Sequence, residues 1–326
     1  MNLATTYLGM RLPHPLIVGA GPLTDDLDTA RELEDEGAAA VVMRSLFEED
    51  ITGEQMNAFF NEESYSNSFP EATTGFAPDP ESAFGPEEYL EHLRRLKETL
   101  GIPVVASLNG CSAGGWVSYA RLLEEAGADA VELHLYHAPS DATLSAAEVE
   151  QQMIEIVRGV KEELRIPVAV KLSPLFTAFA HFARQLDAAS VDGFVLFTRF
   201  YRADIDVVEL EVTRSFTPSD SSDLPQRLRG VAALAGRVKA SLAVTGGVHT
   251  GLDVVKATMA GAHATQMVSA LLRNGPRHLR KVRSELEAWM EENEWDSLEE
   301  MRGNMSFCRI PDPAAYERAN FRIMLR

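Results

Sequence analysis

The stretch Leu242-Ala-Val-Thr-Gly-Gly-Val-His-Thr-Gly251, followed by Gly261-Ala-His-Ala-Thr-Gln-Met-Val-Ser-Ala-Leu271, reads as two successive strand-to-helix turns. A glycine pair after an apolar strand lets backbone N–H groups approach an anion with no Cβ in the way. The N-terminus of the following helix adds partial positive charge. The pattern predicts a phosphate cradle. A Gly-Gly turn alone is more often merely a turn, so the flanking chain has to carry the assignment.

Upstream, two kinds of segment alternate. One is an Ala/Gly-rich turn running into a strand: Glu36-Gly-Ala-Ala-Ala-Val-Val-Met43, Ala126-Gly-Ala-Asp-Ala-Val-Glu-Leu133, Ala189-Ser-Val-Asp-Gly-Phe-Val-Leu196 and Ala260-Gly-Ala-His-Ala-Thr-Gln-Met267. The other enters the strand directly: His14-Pro-Leu-Ile-Val-Gly-Ala20, Ile102-Pro-Val-Val-Ala-Ser-Leu108, Ile166-Pro-Val-Ala-Val-Lys-Leu172 and Ala240-Ser-Leu-Ala-Val-Thr245. Together they give eight apolar runs, near 15–20, 39–44, 103–109, 130–136, 167–173, 193–199, 242–247 and 263–268. Each is short and continuous, as in a parallel strand buried on both faces. Helical patterns separate them, at 26–36, 86–100, 116–126, 146–164, 176–189, 224–238, 252–260 and 276–292. Eight strands alternating with eight helices is the pattern of an α/β protein of the (β/α)8 TIM barrel class. A doubly wound open sheet is the alternative, because closure cannot be read from sequence.

The expected division is a barrel over 1–294 and a C-terminal helical extension over 295–326 packed on it. A long insertion, Leu46 to Gly85, follows the second run, and loops of that length are usually functional or disordered. A smaller one, Phe200 to Asp223, follows the sixth run and contains Ile205-Asp-Val-Val-Glu-Leu-Glu-Val212, which alternates like a hairpin. In the extension, Asp312 reads as the cap of a last helix, expected beneath the barrel.

Composition narrows the function. The 49 acidic against 30 basic residues leave a net charge of −19, which disfavours nucleic acid and anionic membrane surfaces as partners. No apolar run approaches a membrane span, and the first residues lack the pattern of a signal peptide, so a cytoplasmic protein is expected. Two cysteines, Cys111 and Cys308, hold neither a zinc site nor an iron–sulfur cluster between them. No metal constellation emerges either.

Active-site residues of such barrels lie at the C-terminal ends of the strands. The candidates by position are Gly19 to Pro22, Arg44, Ser45, Ser107, Asn109, His134, Tyr136, His137, Lys171, Ser173, Thr198, Arg199, Gly246, Gly247, Val268 and Ser269. In order along the chain, Leu16-Ile-Val-Gly-Ala-Gly-Pro-Leu-Thr24, Pro103-Val-Val-Ala-Ser-Leu-Asn-Gly110 with Gly114-Gly-Trp116, Pro167-Val-Ala-Val-Lys-Leu-Ser-Pro174, Thr245-Gly-Gly-Val-His249, Ser269-Ala-Leu271, and Asn304-Met-Ser306 with Asp312-Pro-Ala-Ala-Tyr-Glu-Arg-Ala-Asn320 resemble the dihydroorotate dehydrogenase family over essentially the whole length. The resemblance is strongest to its dihydroorotate-dehydrogenase-like bacterial branch.

That resemblance implies an FMN-dependent oxidoreductase acting on CH–CH groups. Hydride would pass between flavin N5 and a small cyclic or unsaturated substrate, while a side-chain base takes the adjacent proton. It implies FMN phosphate on the backbone of Gly246, Gly247, Val268 and Ser269, and Lys171 near the reduced ring. Ala20 and Gly21 would let the ring lie close, with Asn109, Ser45 and Arg44 around it. The alternative for Lys171 is an interior lysine paired with a carboxylate. A soluble electron acceptor or partner subunit is implied, and a homodimer by resemblance only.

The departures are specific. The family usually carries Lys-Ser where Arg44-Ser45 stands, and arginine differs from lysine in shape and hydration. His134-Leu-Tyr-His-Ala-Pro139 replaces a run holding Asn and a Cys or Ser base, and Thr198 stands where Asn is expected. His137 falls at the base position, and an imidazole with an ordinary pKa of about 6.5 suits proton transfer near neutrality. Tyr136 is the weaker candidate for the base, Arg44 is a further catalytic candidate, and His134 and Thr198 are expected at the flavin. Two other readings stay open: a catalytically silent flavin- or partner-binding barrel, and a flavin-free barrel enzyme acting on a phosphorylated small molecule.

Overall fold

A computed structural model of the chain describes residues 1–53, 85–110, 114, 116–136, 142–198, 204–208, 211–213 and 217–324. The strands are β1 (Thr5–Tyr7), β2 (Met10–Leu12), β3 (Leu16–Val18), β4 (Val41–Val42), β5 (Leu46–Phe47), β6 (Val104–Gly110), β7 (Ala130–Leu135), β8 (Val168–Leu172), β9 (Gly193–Leu196), β10 (Asp204–Asp206), β11 (Glu211–Thr213), β12 (Ser241–Thr245) and β13 (Ala264–Met267). The helices are α1 (Leu27–Asp35), α2 (Pro86–Thr99), α3 (Trp116–Glu125), α4 (Ala146–Glu163), α5 (Phe179–Ala188), α6 (Leu224–Leu234), α7 (Gly251–Ala260), α8 (Ser269–Asn274), α9 (His278–Glu292), α10 (Leu298–Met301) and α11 (Pro313–Met324).

Parallel pairing runs β3, β4, β6, β7, β8, β9, β12, β13, and β13 returns to β3. The sheet is therefore a closed (β/α)8 barrel, and the open doubly wound alternative is excluded. All eight apolar runs become its strands. Helix starts follow local chemistry: Asp26 accepts from Thr29 N at 2.8 Å, and Ser145 with Glu148 and Thr250 with Asp253 form capping boxes.

Alternation along the strands decides what faces the barrel axis. Val104, Val131, Leu133, Val168 and Val170 belong to the large core beneath the helices. Val105, Ala130, Ala169, Val195, Ala243 and Ala264 form a separate inner cluster. Continuing each inward row by two residues toward the strand C-terminus gives Ser107 and Asn109, Glu132 and His134, Lys171, Thr245 and Gln266. The barrel is thus apolar and small-sided at its base and polar at its mouth.

The small residues at the base leave room for a feature absent from the sequence reading. The antiparallel hairpin β1–β2 inserts Tyr7, Leu8 and Leu12 into the inner cluster. Leu8 reaches so far in that a Cβ on Gly193 would lie 2.5 Å from its Cδ2. Burying one such leucine stabilises the fold by about 1.5–3 kcal/mol.

The expected hairpin after the sixth run is present as β10–β11, with Ile205 opposite Val212. Most of the long insertion, from 54 to 84, lies outside the described residues. In the extension, Leu298 and Met301 are buried, and Gly303 N and Met305 N donate to Thr258 O and Met259 O of α7. Helix α11 departs from the expected packing beneath the barrel. It starts at the expected cap, with Asp312 Oδ1 accepting from Ala315 N at 3.0 Å, yet buries none of its residues and is tied to outer helix α6 by Arg229–Glu317. At about 100° per residue, Tyr316 and Ile323 share a face that Phe321 does not, so no single apolar stripe forms.

Candidate active site

One cleft of about 320 Å³ opens at the C-terminal mouth of the barrel, and Ala20, Gly21, Arg44, Ser45, Asn109, His134, Lys171, Thr198, Gly246, Gly247, Val268 and Ser269 all line it. Every residue expected at the cofactor is therefore on one surface. Tyr136 is not among the lining residues; its ring meets that of His134 edge-on at 5.7 Å. His137 and Arg199 lie outside the described residues.

At one end of the cleft, Gly246 and Gly247 take φ values of 79° and 83°, a region nearly closed to other residues. A Cβ on Gly247 would stand 2.6 Å from Leu224 N, so the turn presses directly on the start of α6. Arg227 of α6 is buried and donates Nε to Thr245 O at 2.9 Å and Nη1 to Asp223 O at 2.7 Å. Its Nη2 lies 3.1 Å from where a Gly246 Cβ would be. Ser219 accepts from Gly247 N at 3.3 Å and donates its own N–H to Ser269 Oγ at 3.0 Å. The cradle thus holds a guanidinium and a buried serine besides the backbone turn. Sequence reading missed both: Arg227 sits mid-helix and Ser219 in the second insertion, where strand-end logic does not look.

The floor of the cleft is charged. Lys171 Nζ donates to Glu132 Oε1 at 3.0 Å, and Gln266 Nε2 donates to Glu132 Oε2. Lysine and carboxylate are both buried, so Lys171 lines the cleft and also has the interior carboxylate partner offered as its alternative role. Glu132 and Gln266 were not singled out from sequence, although each lies on the inward row, two residues from a residue that was or that packs at the base. Gln266 Oε1 has no hydrogen-bond partner.

Beside Lys171, His134 Nδ1 lies 3.1 Å from Asn109 Nδ2. An amide nitrogen only donates, so Nδ1 accepts and the ring proton sits on Nε2. That Nε2 is buried without a protein partner. Burial, then the charge of Lys171, lowers the His134 pKa to about 3. It is a neutral donor near pH 7.

On the opposite wall, Arg44 donates Nε to Asp25 Oδ2 at 2.8 Å and Nη2 to the same oxygen. Ser45 Oγ lies 2.8 Å from Ser107 Oγ. The Tyr89 hydroxyl donates to Arg44 O at 2.9 Å and accepts from Ser107 N at 3.0 Å, pinning both strand ends. Gly21 lines the cleft as expected and has a packing role besides. A Cβ there would lie 2.9 Å from Val268 Cγ1, so the glycine lets the first turn pack against the last.

The comparisons with known proteins agree with this architecture. Residues 2–290 match the family described as dihydroorotate dehydrogenase. The chain is similar to the catalytic subunit of dihydroorotate dehydrogenase B (NAD(+)) of Thermoplasma acidophilum, 28% identical over 306 residues covering 93% of this chain and 98% of that one. It is 29% identical over 293 residues to a putative dihydroorotate dehydrogenase A (fumarate) of Aeropyrum pernix, covering 86% and 90%. It is 23% identical over 340 residues to the NAD-dependent dihydropyrimidine dehydrogenase subunit PreA of Escherichia coli, covering 93% and 76%. Among the described residues, no helix is long and apolar enough to cross a membrane, and no group of His, Cys, Asp and Glu is arranged to hold a metal ion.

Proposed function

The chain belongs to the dihydroorotate dehydrogenase family of oxidoreductases, and on that premise we propose that it binds FMN in the barrel mouth and oxidises or reduces a CH–CH bond of a small cyclic substrate. The observation that carries the reading is the joint placement of all the expected cofactor residues in one cleft. The cleft also fits the group chemically. A positive-φ turn beside Arg227 suits a phosphate, and at the floor a buried donor, His134 Nε2, and a buried acceptor, Gln266 Oε1, both lack partners. A flavin ring edge carries carbonyl acceptors and an N–H donor, and supplying them would remove a desolvation cost of about 1–3 kcal/mol per orphaned group.

When bound, the flavin supplies a two-electron acceptor for hydride. This chain's residues do the rest. Gly246, Gly247, Ser219, Ser269 and Arg227 bind the phosphate, and Lys171 and His134 hold the ring by hydrogen bonds. Arg44 stays at the cleft wall through Asp25. His137 takes the proton as general base, with Tyr136 as the weaker candidate. The substrate class follows the relatives: one is named for dihydroorotate and another for dihydropyrimidines, so a dihydropyrimidine-like ring is the first to test. A soluble acceptor or a partner subunit receives the electrons, as the names of the relatives suggest.

Purified protein should be yellow and hold FMN. A colourless protein that fails to take up FMN would favour a phosphorylated substrate in the same cradle. Anaerobic mixing with dihydroorotate or dihydrouracil should bleach the flavin, and a flavoprotein that neither substrate bleaches would need another ring. His137→Ala should abolish substrate-driven bleaching and leave FMN bound; unchanged bleaching refutes that residue as the base.

A further inference from the structure

We propose that Glu132 sets the electron affinity of the bound flavin by offsetting the charge of Lys171; this rests on the FMN reading above. The geometry is a buried triad from three strands. Glu132 of β7 is 1% exposed, its Oε1 takes Lys171 Nζ of β8 at 3.0 Å, and its Oε2 takes Gln266 Nε2 of β13. Both carboxylate oxygens are satisfied by donors, one of them a cation, which is the arrangement that keeps a buried carboxylate ionised.

Lysine and carboxylate therefore form a nearly neutral pair where a lone lysine would present a full positive charge to the cleft. Another cation lining the cleft, Arg44, is likewise offset by Asp25. Hydride transfer leaves one more negative charge on the ring. A lysine with its own counter-ion 3.0 Å away stabilises that charge less than a lysine without one, because the carboxylate opposes the lysine's field in a weakly screened interior. Glu132 is thus a positioning residue that holds Lys171 and lowers the flavin's tendency to accept electrons.

Sulfite tests this directly, because it adds through sulfur to flavin N5 and leaves the ring with an extra negative charge, with no substrate or turnover involved. Glu132→Gln keeps the size and a hydrogen-bonding amide and removes only the charge. FMN-loaded Glu132→Gln should bind sulfite at least tenfold more tightly than the parent. The two-electron midpoint potential, read by slow enzymatic reduction beside a reference dye, should rise by about 30 mV for each tenfold. Glu132→Asp, which keeps the charge, should stay within about threefold of the parent, whereas a purely structural role would disturb both variants alike. Should Glu132→Gln fail to fold, Glu132→Met, also neutral and of similar length, carries the same expectation. Unchanged or weaker sulfite binding in the neutral variant, or equal behaviour of the Asp and neutral variants, overturns the proposal. FMN titration comes first: a parent that binds no FMN sinks the flavin reading and this inference with it. A parent that binds FMN, with sulfite affinity unmoved in the neutral variant, sinks this inference alone.

Discussion

Replacing Gly247 by Ala isolates the turn that holds the phosphate. Gly247 has φ +83°, and an added Cβ would meet Leu224 N at 2.6 Å, Leu224 Cα at 2.9 Å and Asp223 C at 3.1 Å. All three are main-chain atoms at the start of α6, so no side chain can swing aside. Reaching an ordinary contact of about 3.4 Å requires the turn or the helix start to move by roughly 0.8 Å. The left-handed conformation costs a residue with a Cβ about 1–2 kcal/mol, and overpacking of this kind about 1–3 kcal/mol more. A total near 2–5 kcal/mol falls on the segment that carries Arg227 and faces the phosphate. Each 1.4 kcal/mol that reaches the bound state weakens FMN tenfold, so Gly247→Ala should raise the FMN dissociation constant at least tenfold, measured by quenching of free FMN fluorescence. Gly275→Ala is the control. Its φ is +77° with nothing within 4 Å of the added Cβ, so it should lose about 1–3 kcal/mol of stability and no FMN affinity. Unchanged FMN affinity in Gly247→Ala would refute the cradle, and equal effects of the two substitutions would refute the clash.

Acid should weaken the fold before most carboxylates titrate. Burial lowers His14 and His263 to about 4 and His134 to about 3; the unfolded chain, near 6.5, then binds more protons, so stability falls as pH drops from about 6.5 toward 4 and is unaffected by these groups above that window. A urea midpoint that stays level from about pH 6.5 to 4.5 contradicts this. Gly230→Ala would put a Cβ 2.5 Å from Phe197 Cε2, driving a ring that lines the cleft off its contact with Phe179. A loss of about 1–3 kcal/mol is expected, relieved when Phe197→Leu is added; purely additive losses would refute the clash. Arg44→Lys loses the two-pronged hold on Asp25, but the pair is part-exposed, so stability should fall by less than about 1 kcal/mol. A larger loss on thermal unfolding of the FMN-bound form, absent from the FMN-free form, would place the guanidinium against the ring.

The strands and their order were legible because a parallel barrel strand is buried on both faces, so short apolar runs bounded by Ala/Gly turns mark it, although closure of the sheet left no trace in them. Strand ends then located Lys171, Asn109 and the glycine pair. Three things were not legible, for different physical reasons. The β1–β2 plug depends on small side chains at the barrel base, which read only as apolar. Glu132 and Gln266 lie mid-strand, where the reading weighed apolar character and not the inward row; the row Ala130, Glu132, His134 shows that the alternation was there to be followed. Arg227 and Ser219 reach the cradle from a helix and a loop that meet it only because Gly247 packs on Leu224, a tertiary fact with no local signal.

The departures from the family pattern bear on what the barrel does, because two of them have their own local side-chain partner. Arg44 is held by Asp25 and His134 by Asn109. Residues under relaxed constraint would leave buried polar groups unsatisfied across the wall, whereas among the described residues the unpartnered side-chain atoms lining the cleft, His134 Nε2 and Gln266 Oε1, are one donor and one acceptor at its floor. That distribution favours a rebuilt ring site over a decayed one. It also defines what the flavin ring must present, since an amide presents both a donor and an acceptor and a neutral His134 Nε2–H presents only a donor. A ring that places a carbonyl oxygen there suits the site, and one that requires an acceptor at the same point does not. The cradle end carries no such change, so the two ends of the cofactor are separable in experiment: Gly247→Ala should weaken FMN but not riboflavin, which lacks the phosphate, while His134→Ala should weaken both.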